Sequence, residues 1–194
     1  MSVGIILLAA GSSSRMGQSK QLLPIAGEPL LLKTVMTAIR SQADNVVVVL
    51  GANEAAHRKL IQELPIDIIT NPNWQRGMGS SLKKGLQKIL LSSTPLEAII
   101  VMVCDQPLLT HDHLNKLVQK FKNSKCKIVA SYYSGTAGVP ALFDKLLFGD
   151  LLKIEDDTGA KQIILQRKNL VQHVEFPQGS VDLDTPDDYQ AFVS

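Results

Sequence analysis

An α/β fold on a mostly parallel sheet is what this 194-residue sequence predicts. Three observations carry that expectation. Five β-branched apolar runs recur along the chain, segments of helical period lie between them, and the runs are continuous where a half-exposed antiparallel sheet would alternate polar with apolar. Strand then helix, repeated, is the pattern of a sheet covered on both faces.

The elements follow in order. Residues 3–8 form the first buried strand and 45–50 the second. A candidate N-cap at Asn53 then starts a helix whose Leu60, Ile61 and Leu64 face the core. Residues 66–69 are the third strand, and Leu82, Leu86, Ile89 and Leu90 share one face of the next helix. The fourth strand spans 98–103, Thr110 caps a helix that presents Leu114, Leu117, Val118 and Phe121, and 127–132 is the fifth strand. The second half is less regular: a short strand over 139–143, a helix over 159–167 and a strand over 170–175. The final helix has a clear start, with Thr185 as cap, Pro186 where its missing N–H costs nothing, and Asp187 and Asp188 at the positive end of the dipole. No repeat, low-complexity stretch or long linker interrupts the chain, so one domain over 1–194 is expected.

Composition narrows the function classes. With 45% hydrophobic and 20% charged residues the chain is far from a disordered profile, and its length allows a core without staples. A net charge of +2 creates no demand for nucleic acid or an anionic membrane, so any anion binding must be local. Cys104 and Cys126 lack metal-ligand spacing and suit a reducing cytoplasm. The opening residues carry neither a basic leader nor a spanning length. The four histidines are scattered, and His111 and His113 are expected on the exposed start of a helix. The lysines between Lys116 and Lys127 read as a solvated face.

The chemistry concentrates in four places. Leu8, Ala9, Ala10 and Gly11 leave the first strand into Ser12, Ser13, Ser14, Arg15, Met16, Gly17, Gln18, Ser19 and Lys20, a polar loop with the ingredients of a phosphate cradle. The spacing is neither that of a Walker A loop nor that of the dinucleotide fingerprint, since Ser13 stands where the second glycine would be. Asp105 emerges from a buried strand at the same sheet edge, where a hard cation shared with phosphates needs one or two carboxylates. The loop from Asn71 to Ser81, with Trp74, Arg76, Gly77, Gly79 and Ser80, offers backbone and hydroxyl groups to a base or ribose. Asp182 and Asp184 precede the last helix, on one side of an extended segment. No nucleophile elbow is present, and Cys104 lies inside a strand run, which disfavours a nucleophilic hydrolase.

Taken together, these motifs resemble the nucleotidyltransferase family of the molybdenum cofactor pathway, and within it the branch that attaches CMP to molybdopterin. The resemblance rests on Leu8-Ala9-Ala10-Gly11 with Arg15-Met16-Gly17 and Lys20, and on Asn71-Pro72 through Gly77-Met78-Gly79-Ser80-Ser81-Leu82. It continues through Cys104-Asp105-Gln106-Pro107, Gly138-Val139-Pro140 and Asp182-Leu183-Asp184-Thr185-Pro186. Guanylyl-transferring relatives usually carry a second glycine where Ala10 stands, so the strand end leans toward cytidine. One run departs from the branch pattern of Gly-Asp-x-Gly-Ala-Arg: here it reads Asp156-Asp157-Thr158-Gly159-Ala160-Lys161.

The resemblance implies a Rossmann-like, doubly wound sheet of the nucleotide-diphospho-sugar transferase type. It implies a nucleotide-binding half over about 1–110 and an acceptor-side half over about 111–194. It further implies transfer of a nucleotidyl group from CTP, or another NTP, to a phosphate acceptor such as molybdopterin, with release of pyrophosphate, and contact with a target molybdoenzyme. Arg15, Lys20 and Asp105 are then the expected catalytic residues, and Asp105 and Asp184 the ligands of Mg²⁺. Leu8, Ala9, Ala10, Gly11, Ser12, Ser13, Lys20, Gly79, Ser80 and Ser81 are the expected nucleotide-binding set.

Overall fold

The computed structural model describes residues 1–92 and 94–193. Its centre is a seven-stranded sheet. The parallel part holds β1 (Val3–Ala9), β4 (Asn45–Leu50), β5 (Asp67–Thr70) and β6 (Ala98–Val103); the other part holds β7 (Ile128–Tyr133), β8 (Thr136–Asp144) and β9 (Val171–Glu175). Spatial order is β5-β4-β1-β6-β8-β7-β9, with β8 antiparallel to both neighbours and β9 parallel to β7. A two-stranded ribbon, β2 (Pro24–Ile25) and β3 (Glu28–Pro29), stands apart.

Helices cover both faces. α1 (Leu30–Ile39), α2 (Glu54–Ile61) and α4 (His111–Lys122) lie over one face, where Ile5 and Leu7 of β1 point. α3 (Met78–Ile89), α5 (Phe148–Leu152) and α6 (Lys161–Gln166) lie over the other, where Ile6 and Leu8 point. The alternation of Cβ directions along a strand thus feeds two cores from one continuous apolar run. On the second face Gly85 of α3 is needed because a Cβ there would meet Ile6 Cγ2 at 2.5 Å and Val49 Cγ2 at 2.9 Å, so the helix backbone lies against the strands. α7 (Pro186–Val193) closes the chain. Its capping pair is reciprocal: Asp188 N–H donates to Thr185 Oγ1 at 3.2 Å and Thr185 N–H to Asp188 Oδ2 at 2.7 Å.

Several expectations are revised. α1 was not anticipated, although Leu30, Leu31, Val35 and Ala38 form its buried side. The 139–143 strand is longer, because Ser134 and Gly135, both with positive φ, make a two-residue hairpin turn that pairs β8 with β7 from Thr136 onward. Asn53 stands at the start of α2 in the left-handed region and makes no side-chain cap, whereas Thr110 does cap α4. Leu90 ends α3 exposed at 43% and does not share the buried face of Leu82, Leu86 and Ile89.

His113 is buried, not exposed: it sits on the inward side of α4, stacked on Phe176 at 4.3 Å. Ser131 Oγ gives its proton to the Pro140 carbonyl at 2.6 Å, so it accepts from His113 Nε2 at 2.7 Å and fixes the neutral Nε2–H tautomer. Burial, with Lys116 nearby, lowers the His113 pKa from 6.5 to about 4. Above pH 6.5 the ring is neutral in both folded and unfolded chains. Between pH 6.5 and 4 only the unfolded chain takes up the proton, so this residue removes stability as pH falls, at about 1.4 kcal/mol per pH unit in the middle of that window. Urea titrations of His113→Asn should therefore show a shallower loss of stability from pH 6.5 to 4.5 than the natural chain; an identical slope would place the ring's titration elsewhere.

Candidate active site

A cleft of about 350 Å³ opens at the carboxyl ends of β1 and β6, beside the strand pair where the order of connection reverses. Open α/β sheets bind ligands at this position. Its floor is Leu8, Ala9 and Ala10; one wall is the loop after β1, and the other is Trp74, Gln75, Gly77, Met78 and Ser81.

The loop after β1 does not continue into a helix. Ser13 turns at φ 57°, Ser14–Met16 make one 3-10 turn, and Gly17 takes φ 67°, where a side chain would be strained. A second 3-10 turn, Lys20–Leu22, ends it. What holds this excursion in shape is Gln21, 1% exposed. Its amide nitrogen donates to the Gly11 carbonyl at 3.0 Å and the Ala9 carbonyl at 3.4 Å, while its oxygen accepts from Ser13 Oγ at 3.1 Å and Ser19 Oγ at 2.9 Å. All four hydrogen-bonding positions of one buried amide are used within the loop. Ser19 also meets His57 Nε2 of α2 at 2.7 Å; with its proton already on Gln21, Ser19 accepts from the ring.

So shaped, the loop delivers Lys20 to the end of β6. Its ammonium donates to Asp105 at 3.0 Å and to Asp184 at 2.8 Å, and Arg15 reaches the second oxygen of Asp184 at 2.7 Å. Asp184 arrives because Leu183 beside it is fully buried and its N–H donates to the Asp105 carbonyl at 3.0 Å. Burial opposes the Lys20 charge, but the Asp105 field and the bonds to both carboxylates outweigh it and leave the pKa above its ordinary value. Burial likewise raises Asp184, and the Lys20 and Arg15 contacts overcome it, so its pKa falls. Among the described residues no cation pairs with Asp182: burial and the charges of Asp184 and Asp105 push its pKa up. Cys104 lines the cleft beside these groups, and burial pushes its thiol up to about 12.

Asp105 and Asp184 converge on one ammonium, so their oxygens already face a single cationic point. Two cations and two carboxylates line this corner of the cleft and balance one another, so little positive charge is left over for a triphosphate without a further cation. An all-oxygen donor pair, with phosphates and water to complete the shell, fits a hard divalent cation. Among the described residues no group of three or more His, Cys, Asp or Glu side chains could hold a metal unaided.

The structure brings Leu8, Ala9, Ala10, Gly11, Ser12, Ser13, Arg15, Lys20, Ser81, Asp105 and Asp184 to one cleft. Gly79 and Ser80 stand between the lining residues Met78 and Ser81, just outside the lining itself. A Cβ on Gly79 would collide with the Glu155 carbonyl, and Ser80 is buried, with its hydroxyl on the Gly77 carbonyl at 2.8 Å and its N–H on the Asp156 carbonyl at 3.2 Å. Gln21 is a residue of the site that the sequence does not single out. A polar residue directly after Lys20 was the only available sign of Gln21, and nothing in the local pattern distinguishes it from an exposed one.

Among the described residues no helix is long and apolar enough to cross a membrane. Comparison with known proteins gives the family. The purine catabolism protein PucB of Bacillus subtilis is 29% identical over 95% of this chain and 92% of its own length. The molybdenum cofactor cytidylyltransferase of Escherichia coli is 26% identical over 96% and 93%. The nicotine blue oxidoreductase of Paenarthrobacter nicotinovorans is 29% identical over 93% and 91%. Among solved structures, Rv0371c of Mycobacterium tuberculosis superposes with a TM-score of 0.86 at 26% identity, over 99% of this chain and 97% of that one. The same protein has been solved in complex with manganese, at 23% identity to this chain. The sheet, its order and its flanking helices are those of the nucleotide-diphospho-sugar transferase type. Residues 5–172 match the family model, and on that match this chain belongs to the MobA-like NTP transferase domain family.

Proposed function

We propose that this chain is a Mg²⁺-dependent cytidylyltransferase that moves CMP from CTP to the terminal phosphate of molybdopterin and releases pyrophosphate in the cytoplasm. The observation that carries the reading is the convergence of Lys20, Arg15, Asp105 and Asp184 at one end of the cleft. The cytidylyltransferase relative, Ala10 in the Leu-Ala-Ala-Gly strand end and the manganese complex of Rv0371c support the substrate and metal assignments.

In this reading an acceptor phosphate oxygen attacks the α-phosphorus of CTP, and the bond to the bridging oxygen of the β-phosphate breaks. Little covalent work falls to the protein, so positioning and charge dominate. Lys20 has three N–H donors and spends two on Asp105 and Asp184, which leaves one for a phosphate oxygen. Arg15, with a side chain 69% exposed, is free to swing from Asp184 and clamp the departing pyrophosphate through two parallel bonds. Asp105 and Asp184 would hold the metal, which supplies charge neutralisation at the phosphates when bound. Ala9, Ala10, Ser81 and the Trp74 side of the cleft would frame the nucleoside. A phosphate acceptor other than molybdopterin is the second reading. It is favoured by the 156–161 run, where Asp156 and Lys161 depart from the pattern of the cytidylyl branch on the acceptor side.

Pyrophosphate release measured with each of the four NTPs, with and without molybdopterin, tests the assignment directly. CTP with molybdopterin should turn over fastest; the discrimination that one methyl group provides is only about 1 to 3 kcal/mol, so GTP used as well as CTP would overturn the cytidine choice. Turnover with CTP only on another phosphate monoester would transfer the case to the second reading. Lys20→Ala should weaken Mg-CTP binding by about 1.5 to 3 kcal/mol, the worth of a charge-assisted contact, as read by calorimetry. Asp105→Asn and Asp184→Asn should each remove most turnover while the circular dichroism spectrum is kept. The double variant should lose little more than either single one, because both serve the same cation. Fully additive losses would mean two independent sites.

A further inference from the structure

The cleft wall that carries Trp74 and Gln75 is irregular, and Met78 opens α3 beside it. It follows β5 through a single 3-10 turn, Trp74–Arg76, before α3 begins. Trp74 itself stands over Gly51, where a Cβ would come within 2.7 Å of the Trp74 Cβ, and from Gly77 onward the wall is backed by the segment between α5 and α6. Gly77, at φ 120°, is so close to this segment that a Cβ would collide with the Asp156 carbonyl. Met78 Sδ would stand 2.9 Å from a Cβ on Gly159. Ser80 N–H donates to the Asp156 carbonyl at 3.2 Å, and Lys83 Nζ donates to the Ile154 carbonyl at 3.0 Å. The Asp156 carboxylate then closes the contact, with one oxygen on Lys83 and the other 2.5 Å from Arg76.

We infer that Asp156 is a positioning residue for the nucleoside end of the cleft: its carboxylate latches the Trp74 wall to the acceptor-side segment and so sets how the cleft receives the nucleotide. The inference rests on the nucleotide reading above for its ligand, and deepens it by assigning specificity to a residue outside the cleft lining. The two ion pairs are unequal. Arg76 is 67% exposed and contributes little, while Lys83, at 26%, is sheltered between the two segments and carries most of the constraint. The same lysine ties both the carboxylate and the backbone of the acceptor-side segment, so loss of the Asp156 charge leaves Lys83 with one tether of two.

Trp74 makes the test direct, because it is the chain's single tryptophan. Asp156→Asn should give a higher acrylamide quenching constant and a red-shifted emission for ligand-free protein. It should also raise KM for Mg-CTP about tenfold with kcat changed less than about twofold, the split expected when binding is lost without loss of transition-state contacts. Asp156→Glu should restore much of both, since it keeps the charge. Asp67→Asn, which breaks the Lys88 pair away from the cleft, is the control for loss of an ion pair as such. If Asp156→Asn failed to fold, Lys83→Met would read the same constraint from its other end. Quenching and KM equal to the natural chain in Asp156→Asn, or the same changes in the Asp67 control, would overturn the inference. A natural chain that bound none of the four NTPs would refute the nucleotide reading, while the ligand-free quenching comparison would still decide the latch.

Discussion

The functional end of this molecule is organised by one ammonium group. Lys20 draws together the loop after β1, the end of β6 and the segment before α7, which are 85 and 164 residues from it along the chain. Without that cation the Asp184 carboxylate would be costly to hold beside a second one, since a like charge at such range disfavours the ionised form. Asp182 shows the alternative: with no cation paired to it among the described residues, it bears the cost that Asp184 escapes. The bridge therefore does two things at once. It assembles the site from distant segments, and it leaves a carboxylate pair already aimed at one cationic point.

The rest of the site serves to deliver the ends of that bridge. Parallel strands bring β1 and β6 to the same edge by direct pairing, so the Lys20 loop and Asp105 start as neighbours. Leu183 anchors the third segment by burial and by a backbone bond to Asp105. Antiparallel β8 enters the sheet beside β6 and starts at the same edge, so the turn that joins it to β7 lies at the end of the sheet where the cleft opens. The opposite wall depends on contact with the 155–158 segment, and Gly77 and Gly79 at that contact let backbones meet where a Cβ would not fit.

Legibility in the sequence follows the range of the physics involved. The parallel strands and the helices α3 and α4 were readable because burial on two faces writes continuous apolar runs and periodic faces into local sequence. Asp105, Lys20 and Asp184 were readable as candidates because charged residues directly after buried runs are conspicuous, and the family resemblance joined them. Gln21 and His113 were not. Each is a polar residue whose burial depends on partners that folding supplies: carbonyls and hydroxyls across a loop for one, Ser131 and Phe176 for the other. Gly79 and Ser80 are small residues of a kind that suits both a ligand and a neighbouring backbone, and their packing against the 155–158 segment is visible only once the chain is folded.

Cys104 stands next to Asp105 in the chain, yet its sulfur is given to the core: the residue is 3% exposed, packs with the cluster under α1, and directs its Sγ at Thr34 Oγ1 at 3.9 Å. Burial pushes its thiol up, so it acts as a small apolar filler. Because successive side chains of a strand point to opposite faces, one step along β6 and just past it separates a group that belongs to the interior from one that belongs to the site. The strand end thus works as a divider, with packing chemistry on one residue and charge chemistry on the next.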